Sequence, residues 1–233
     1  MKTIGIIQPG RLGDIIICLP IAKHYADLGY KVIWPIFNTF VSMIEEVIDY
    51  VTFIPVTSNV YDCVSQSKNV LQKLSVDYIF DIAATFPDSV CTNEYVVLGD
   101  GLTHLKFDYF KYNKCHVPFE KKWNLEFKRN LKQEDEIIKD LTTSQKYDIK
   151  STKHSRGNLS IQFQTKNQLI EVNENYNLFS WFKILQQAEC IVLVDSAMAN
   201  FVEQTNMSNR KILLQKPGQP TPTFKNNWII KNT

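Results

Sequence analysis

The sequence predicts an α/β fold in which two Rossmann-like domains face a cleft, the second domain being small. Strand-like and helix-like segments alternate through the first half of the chain, and a second, shorter series of the same kind begins at Tyr147. Such alternation is typical of parallel sheets with right-handed crossover helices. The chain has 233 residues, 44% of them hydrophobic, which is enough to bury a substantial core.

The first series predicts four strands separated by three helices. Apolar runs indicate buried strands, and apolar residues at helical spacing indicate the helices. In chain order the segments are the strand Thr3 to Ile7, a helix from about Asp14 to Leu28 stopped by Gly29, the strand Lys31 to Phe37, a helix from Phe40 to Ile48, the strand Val51 to Val56, a helix from Cys63 to Leu74 and the strand Tyr78 to Ala83.

Pro20 breaks the pattern of the first helix. In a helix interior proline removes one hydrogen bond and crowds the carbonyl of the residue four positions earlier, here Ile16. The sequence predicts either a kink at this point or a helix that becomes regular only after Pro20.

The middle of the chain does not continue the alternation. We predict a first domain spanning 1–118 that contains an insertion at about 86–118, followed by a crossing segment at 119–146. The insertion carries clustered aromatic residues at 107–112, whose density favours packing onto the domain over sugar stacking. Lys128 to Leu141 is predicted to be a charged helix.

The second series predicts a domain spanning 147–233. It has short strands, an apolar helical stripe and a continuous apolar strand that ends at an Asp-Ser pair. The segments are the strands Tyr147 to Ser151, Leu159 to Phe163 and Leu169 to Val172, a helix over 178–188, the strand Cys190 to Val194, a helix from Ser196 to Gln204 and the strand Lys211 to Leu214.

Composition excludes several classes of protein. The 26 basic and 24 acidic residues are mixed, which leaves no footprint for nucleic acid and at most a peripheral membrane contact. Five cysteines without a C-x-x-C pair predict reduced, structural thiols. Without a leader-like N-terminus or an apolar stretch of bilayer length, the expected protein is soluble and cytoplasmic.

The stretch 8–14, Q-P-G-R-L-G-D, is the first candidate site. It joins an apolar strand to an apolar helix, and its glycines are expected to adopt backbone shapes that a side chain forbids. The turn brings Arg11, Gly13 and Asp14 to the sheet edge where ligands of open α/β sheets bind. An acidic residue in a first helical turn also complements the helix dipole, which is the structural interpretation of Asp14.

The second candidate site follows the strand Cys190 to Val194. Ser196 is a favourable N-cap, and the N–H groups near Ala197 and Met198 are placed to bind an anion such as a diphosphate. Asp195 and Ser196 have the alternative interpretation of a simple helix cap. Basic and hydroxyl residues also follow the strand Tyr147 to Ser151, and among them Lys153 and Arg156 are candidate phosphate contacts. The alternative interpretation of this run is a solvated loop.

Other motifs are absent. The sequence has no D-x-D triplet, no P-loop, no complete G-x-G-x-x-G and no G-x-S-x-G, and its four histidines lack the spacing of metal ligands. No structural metal is expected, and these absences weigh against a dinucleotide dehydrogenase and a hydrolase.

Two segments together resemble a known family: G-R-L-G-D-I-I-I-C-L-P-I-A-K at 10–23 and V-L-V-D-S-A-M-A-N-F-V at 192–202. They resemble the GT-B glycosyltransferases of the ADP-heptose:lipopolysaccharide heptosyltransferase type. The resemblance implies an acceptor-binding N-terminal domain, a nucleotide-sugar-binding C-terminal domain, and a metal-independent, inverting reaction. It assigns Asp14 as the base and Asp195, Ser196 and Ala197 as the donor-binding turn. Ala197 stands where the family has glycine, and Asn200 where it has histidine.

The resemblance therefore predicts a hexosyl- or heptosyltransferase-like enzyme that moves a sugar from a nucleotide-diphosphate sugar to a glycan or glycolipid hydroxyl. The donor is a substrate, and no cofactor is expected. Two alternatives stay open: a non-catalytic nucleotide- or sugar-binding protein on the same scaffold, and a nucleotide-dependent α/β enzyme such as an epimerase.

Overall fold

The chain forms two compact units, each built on a parallel β-sheet. The computed structural model describes residues 1–83, 89–91, 96–98, 106–154, 157–158, 163–215 and 221–232. Unit 1 comprises Met1–Lys128 with Gly218–Thr223, and unit 2 comprises Arg129–Pro217 with Phe224–Thr233. The division falls inside 119–146, the predicted crossing segment. Two parallel sheets with interleaved helices confirm the predicted α/β class.

Unit 1 contains a four-stranded parallel sheet in the order β3-β2-β1-β4. Its elements are β1 (Thr3–Ile7), α1 (Leu12–Asp27), β2 (Lys31–Phe37), α2 (Asn38–Glu45), β3 (Thr52–Val56), α3 (Cys63–Lys73), β4 (Tyr78–Asp81), β5 (Ser89–Cys91), β6 (Val96–Leu98), α4 (Phe107–Lys114) and a 3₁₀ helix at Phe119–Trp123. The four predicted strands and three predicted helices of the first series are confirmed to within a few residues at their ends.

The strands β1 and β2 pair only along their first halves. Their ladder ends at Gly5 and Ile33. Beyond it Pro35 of β2 has no N–H to donate, and the Trp34 indole N–H instead donates to the Gln8 carbonyl at 3.1 Å. The backbone directly after β1 is thus attached to β2 by a side chain, and the turn at 8–14 starts from this point.

The helix α1 runs from Leu12 to Asp27 without interruption, so the predicted late start after Pro20 is wrong. Pro20 and the residues on either side of it are buried, and this packing holds the helix through the missing hydrogen bond. Gly29 ends the helical region with a φ of 82°, the left-handed geometry that a helix stop requires.

The predicted insertion at 86–118 is described in part. Strands β5 and β6 form an antiparallel pair, and residues 86–88, 92–95 and 99–105 lie outside the described residues. In the following helix α4, Phe110 and Tyr112 are buried, which confirms packing for this part of the aromatic cluster. The Tyr112 hydroxyl donates to the Ile17 carbonyl at 2.8 Å and so fastens α4 to α1.

Unit 2 contains a five-stranded parallel sheet in the order β10-β7-β11-β12-β13. Its elements are α5 (Leu131–Leu141), β7 (Tyr147–Ser151), β8 (Lys153–His154), β9 (Gly157–Asn158), β10 (Gln168–Glu171), a 3₁₀ helix at Leu178–Trp181, α6 (Phe182–Gln187), β11 (Cys190–Val194), α7 (Ala197–Gln204), β12 (Arg210–Gln215) and β13 (Trp228–Asn232). The bounds predicted for β7 and β11 are confirmed. Of the predicted strand Leu159 to Phe163, residues 159–162 lie outside the described residues, and Phe163 is in no strand.

Strand β13 is absent from the sequence prediction. It pairs with β12, and its approach is fixed by Glu203 of α7, which is fully buried. The Glu203 carboxylate accepts hydrogen bonds from the Lys225 N–H at 2.7 Å and from the Trp228 indole N–H at 2.6 Å. A buried acid therefore determines where the last strand enters the sheet.

Two further expectations concern the thiols and the membrane. The cysteines whose side chains are described, Cys18, Cys63, Cys115 and Cys190, are free and buried, in agreement with reduced structural thiols. Across the described ranges, no helix combines the length and the apolar character that crossing a bilayer would require.

Candidate active site

The turn after β1 is held by close packing against β2. A Cβ atom added at Gly10 would lie 2.4 Å from Cζ of Phe37, so no larger residue fits there without displacing the ring. The Phe37 N–H donates to the Pro9 carbonyl at 2.7 Å. Glycine at position 10 therefore allows the backbone to lie directly against the Phe37 ring.

The unusual backbone geometry of the turn lies at Arg11. Arg11 has a φ of 59°, while Gly10 and Gly13 are not among the residues with positive φ. The expectation that the two glycines adopt conformations forbidden to other residues is wrong in this respect. A non-glycine residue at positive φ stores strain of about 1–3 kcal/mol. Arg11 precedes the first residue of α1, and its carbonyl accepts from the Asp14 N–H at 2.9 Å.

Asp14 lies in the first turn of α1, just beyond the carboxyl end of β1. Its side chain is 20% exposed, so the carboxylate remains accessible to a ligand. Its Oδ1 lies 3.5 Å from Nζ of Lys111, whose side chain is 2% exposed. The first candidate site thus combines an accessible carboxylate with a buried ammonium.

Lys111 comes from α4 and is held by groups from two strand ends. Its ammonium donates to Oε1 of Gln8, directly after β1, and to the carbonyl of Ile82, directly after β4, at 2.9 Å. Cys18, one turn along α1 from Asp14, is fully buried, and this burial raises the pKa of its thiol to about 12. A neutral thiol therefore borders the charged pair on the interior side.

The second candidate site begins at the start of α7. Ser196 is the N-cap, and its hydroxyl accepts from the Ala199 N–H at 3.4 Å, which confirms the predicted cap. The N–H groups of Ala197 and Met198 belong to the first turn and have no acceptor within the helix. Asp195 lies between β11 and this cap, at the carboxyl end of the strand.

Asn200 is 4% exposed and faces its own helix start. Its side-chain N–H donates to the Ser196 carbonyl at 2.9 Å. Its Oδ1 is buried and makes no hydrogen bond within the described part of the chain. One N–H of the Asn200 amide is therefore already bound to the helix start, and a contact of Asn200 with the donor stays a prediction.

Lys153 and the start of α7 follow neighbouring strands of the sheet, β7 and β11. Leu193 of β11 pairs with Ser151 of β7, so the segments after both strands leave the same sheet edge. Lys153 begins the short strand β8, is exposed, and pairs with Glu174 at 2.5 Å. Arg156, the second candidate phosphate contact, lies outside the described residues.

The structure thus groups the predicted residues into two sets. Arg11, Gly13 and Asp14 share one turn in unit 1, and Lys153, Asp195 and the start of α7 share one sheet edge in unit 2. The cleft common to both sets stays a prediction. Sequence reasoning missed Lys111, because its burial depends on contacts with Gln8 and Ile82, which are distant in sequence.

Comparison with solved structures identifies the fold. A glycosyl transferase family 9 protein from Veillonella parvula is similar over 100% of this chain and 86% of its own, with a TM-score of 0.64 and 10% identity. The E. coli ADP-heptose LPS heptosyltransferase II is similar over 99% of this chain and 90% of its own, with a TM-score of 0.51 and 9% identity.

A third solved structure, E. coli heptosyltransferase WaaC with ADP, is similar over 100% of this chain and 91% of its own, with a TM-score of 0.50 and 12% identity. No protein-family model and no curated protein matches the chain in sequence. The likeness covers both parallel sheets with their interleaved helices, and the chain therefore has the GT-B fold of these glycosyltransferases.

Proposed function

We propose that the protein is a glycosyltransferase that transfers a sugar from a nucleotide-diphosphate sugar to a hydroxyl of a glycan or lipopolysaccharide-type acceptor. The proposed reaction uses no metal cofactor and inverts the configuration at the anomeric carbon. The observation that carries it is the position of Asp14, an accessible carboxylate directly beyond the carboxyl end of β1 in a chain with the GT-B fold.

In the proposed reaction the acceptor hydroxyl oxygen forms a bond to the anomeric carbon while its proton passes to the Asp14 carboxylate. The bond between the anomeric carbon and the diphosphate oxygen breaks, and the nucleoside diphosphate leaves with the electron pair. A single displacement of this kind inverts the configuration. A positioned base typically contributes about 10²–10⁴ to the rate.

The leaving diphosphate gains negative charge, and unit 2 offers groups that stabilise it. The proposal assigns this role to the N–H groups of Ala197 and Met198, to Ser196, and to Lys153 after it exchanges Glu174 for the ligand. Asp195 and Asn200 would contact the donor through their hydrogen-bonding groups, and Arg156 would add a second cation. On the acceptor side, Arg11 and Gly13 would line the approach to Asp14.

The donor is tested by binding before turnover. A thermal-shift panel of ADP-, GDP-, UDP- and CMP-sugars, with NAD(P) as the competing class, identifies the ligand. ADP-sugars come first in the panel because a solved neighbour contains ADP. Stabilisation by NAD(P) alone would favour a dinucleotide-dependent enzyme over a glycosyltransferase.

Turnover is then followed as release of the nucleoside diphosphate by the wild type, Asp14→Asn and Asp27→Asn. Asp27 is a matched control because it ends the same helix and pairs with Lys23 at the surface, its side chain being 55% exposed. We expect Asp14→Asn to lower the rate by about 10²–10⁴ with donor affinity preserved, and Asp27→Asn to have no effect. Equal turnover by Asp14→Asn and the wild type would remove Asp14 from its role, and binding without any turnover would identify a non-catalytic binder.

A further inference from the structure

The buried ammonium of Lys111 has an arrangement that packing alone does not require. Lys111 is 1% exposed and lies between the buried apolar residues Phe110 and Tyr112 on α4. Burying an ammonium is costly unless partners compensate it. An apolar side chain would fill the same space without that cost, so the charge itself requires an explanation.

The partners of Lys111 hold its ammonium at a defined point. Of its three N–H donors, one reaches Gln8 Oε1 and one reaches the Ile82 carbonyl. Gln8 is itself oriented, because its Nε2 donates to the Gly10 carbonyl at 3.1 Å, which turns Oε1 toward Lys111. Two neutral acceptors thus fix the position of the charge.

Asp14 is the carboxylate within ion-pair distance of that ammonium in the part of the chain that the structure describes. The separation of 3.5 Å exceeds the ~2.7–2.9 Å of a charge-assisted hydrogen bond. The carboxylate is therefore attracted toward a fixed charge, while its oxygens keep lone pairs for a hydroxyl.

We propose that Lys111 is a positioning residue for Asp14: its ammonium, anchored by Gln8 and the Ile82 carbonyl, orients the Asp14 carboxylate toward the acceptor hydroxyl. This inference rests on the proposed function. Lys111 does not touch the substrate, and it acts through the geometry of the base. Misplacement of a reacting group by about 1 Å costs on the order of 10² in rate.

The test compares Lys111→Met with Lys211→Met. Lys211 is a matched control because it is a 2% exposed lysine in unit 2 whose ammonium donates to a backbone carbonyl, that of Met207. With the nucleotide sugar selected by the binding panel, we expect Lys111→Met to lower kcat on the order of 10²-fold with an unchanged KM for the donor. Lys211→Met is expected to leave both constants at their wild-type values.

Two additional variants separate positioning from a structural role. Lys111→Arg keeps the charge and is expected to recover part of the lost kcat, which a role in packing alone would not produce. In the Asp14→Asn background, Lys111→Met is expected to have no further effect on the residual rate, because it acts only through Asp14. If Lys111→Met does not fold, Gln8→Leu replaces it: loss of this anchor is expected to lower kcat at constant KM.

The outcomes distinguish this inference from the proposed function. If Asp14→Asn is inactive while folded Lys111→Met, or Gln8→Leu in its place, retains wild-type kcat, the positioning role is overturned and the glycosyltransferase stands. If Lys111→Met lowers the rate by the same factor in the wild type and in the Asp14→Asn variant, the positioning role is also overturned. If the wild type releases no nucleoside diphosphate from any sugar in the panel, both the proposed function and the positioning role fall.

Discussion

The buried ion pair of Asp108 and Lys122 provides the sharpest stability prediction for unit 1. Both side chains are fully buried, and Nζ of Lys122 lies 2.6 Å from Oδ2 of Asp108. Asp108 also accepts from the Thr223 N–H at 2.8 Å, and Lys122 also donates to the Thr223 carbonyl at 2.7 Å. The pair therefore holds residue 223 against α4.

The substitution Asp108→Asn keeps the volume of the side chain and removes its negative charge. The amide oxygen still accepts from Thr223, so the loss is dominated by the buried Lys122 ammonium, which no longer faces the negative charge of Asp108. Breaking a fully buried pair in this way costs about 3–5 kcal/mol. The exposed pair of Lys23 and Asp27 is the control, because Asp27→Asn is expected to cost less than about 1 kcal/mol.

Urea unfolding followed by tryptophan fluorescence measures the difference. Trp123 is a suitable reporter because Lys122 Nζ lies 4.8 Å from the centre of its ring. With an m value of about 3 kcal/mol/M, a loss of about 3 kcal/mol lowers the midpoint by about 1 M. A midpoint for Asp108→Asn no lower than that of Asp27→Asn would refute the reasoning. Replacement of both partners by apolar residues, Asp108→Leu with Lys122→Met, is expected to recover part of the loss.

Three further predictions concern packing, titration and thiol reactivity. Gly10→Ala is expected to lower the free energy of unfolding by about 1–3 kcal/mol, because the added methyl group overlaps the Phe37 ring. In a Phe37→Leu background the loss, measured by urea unfolding, is expected to be smaller. Equal losses in both backgrounds would contradict this contact. Burial lowers the pKa of His24 below its ordinary 6.5, so the folded state binds fewer protons there than the unfolded state. Stability should therefore fall as the pH drops through 6.5, and pH-dependent unfolding of His24→Asn should show a shallower decline than the wild type. Since burial raises the pKa of Cys18 to about 12, iodoacetamide at pH 8 should leave its peptide unmodified in the native protein and label it after denaturation, as read by mass spectrometry.

The strands were predictable where their residues are buried on both faces. Residues 32–37 of β2 and the strand Cys190–Val194 are continuous apolar runs, which is what a strand inside a parallel sheet requires. Strand β13 escaped prediction because it lies at a sheet edge, where Ile229 and Ile230 are 44% and 53% exposed, and because its anchor is distant in sequence. Glu203 and Trp228 are 25 residues apart in sequence, and no local pattern predicts their contact.

The residues of the candidate site also differ in whether the local sequence predicts them. Ser196 was recognisable as a cap, and Asp14 as a first-turn acid, because each follows a strand end within a few residues. Lys111 was not, because its partner Gln8 is 103 residues away and the pairing depends on where α4 docks. The strain at Arg11 also escaped prediction, since glycine is the residue that sequence reasoning associates with positive φ.

The position of α4 links the stability prediction to the proposed chemistry. Its eight residues are fewer than the 12–15 that an isolated helix needs for stability, so tertiary contacts must fix it. Those contacts are the Tyr112 hydroxyl on α1, the Asp108 pair and the Lys111 ammonium. Asp108 and Lys111 are three residues apart, which places them on one side of the helix. A substitution that removes the Asp108 contact is therefore also expected to shift Lys111, which lies against Asp14. The buried ion pair and the candidate base thus depend on the same short helix.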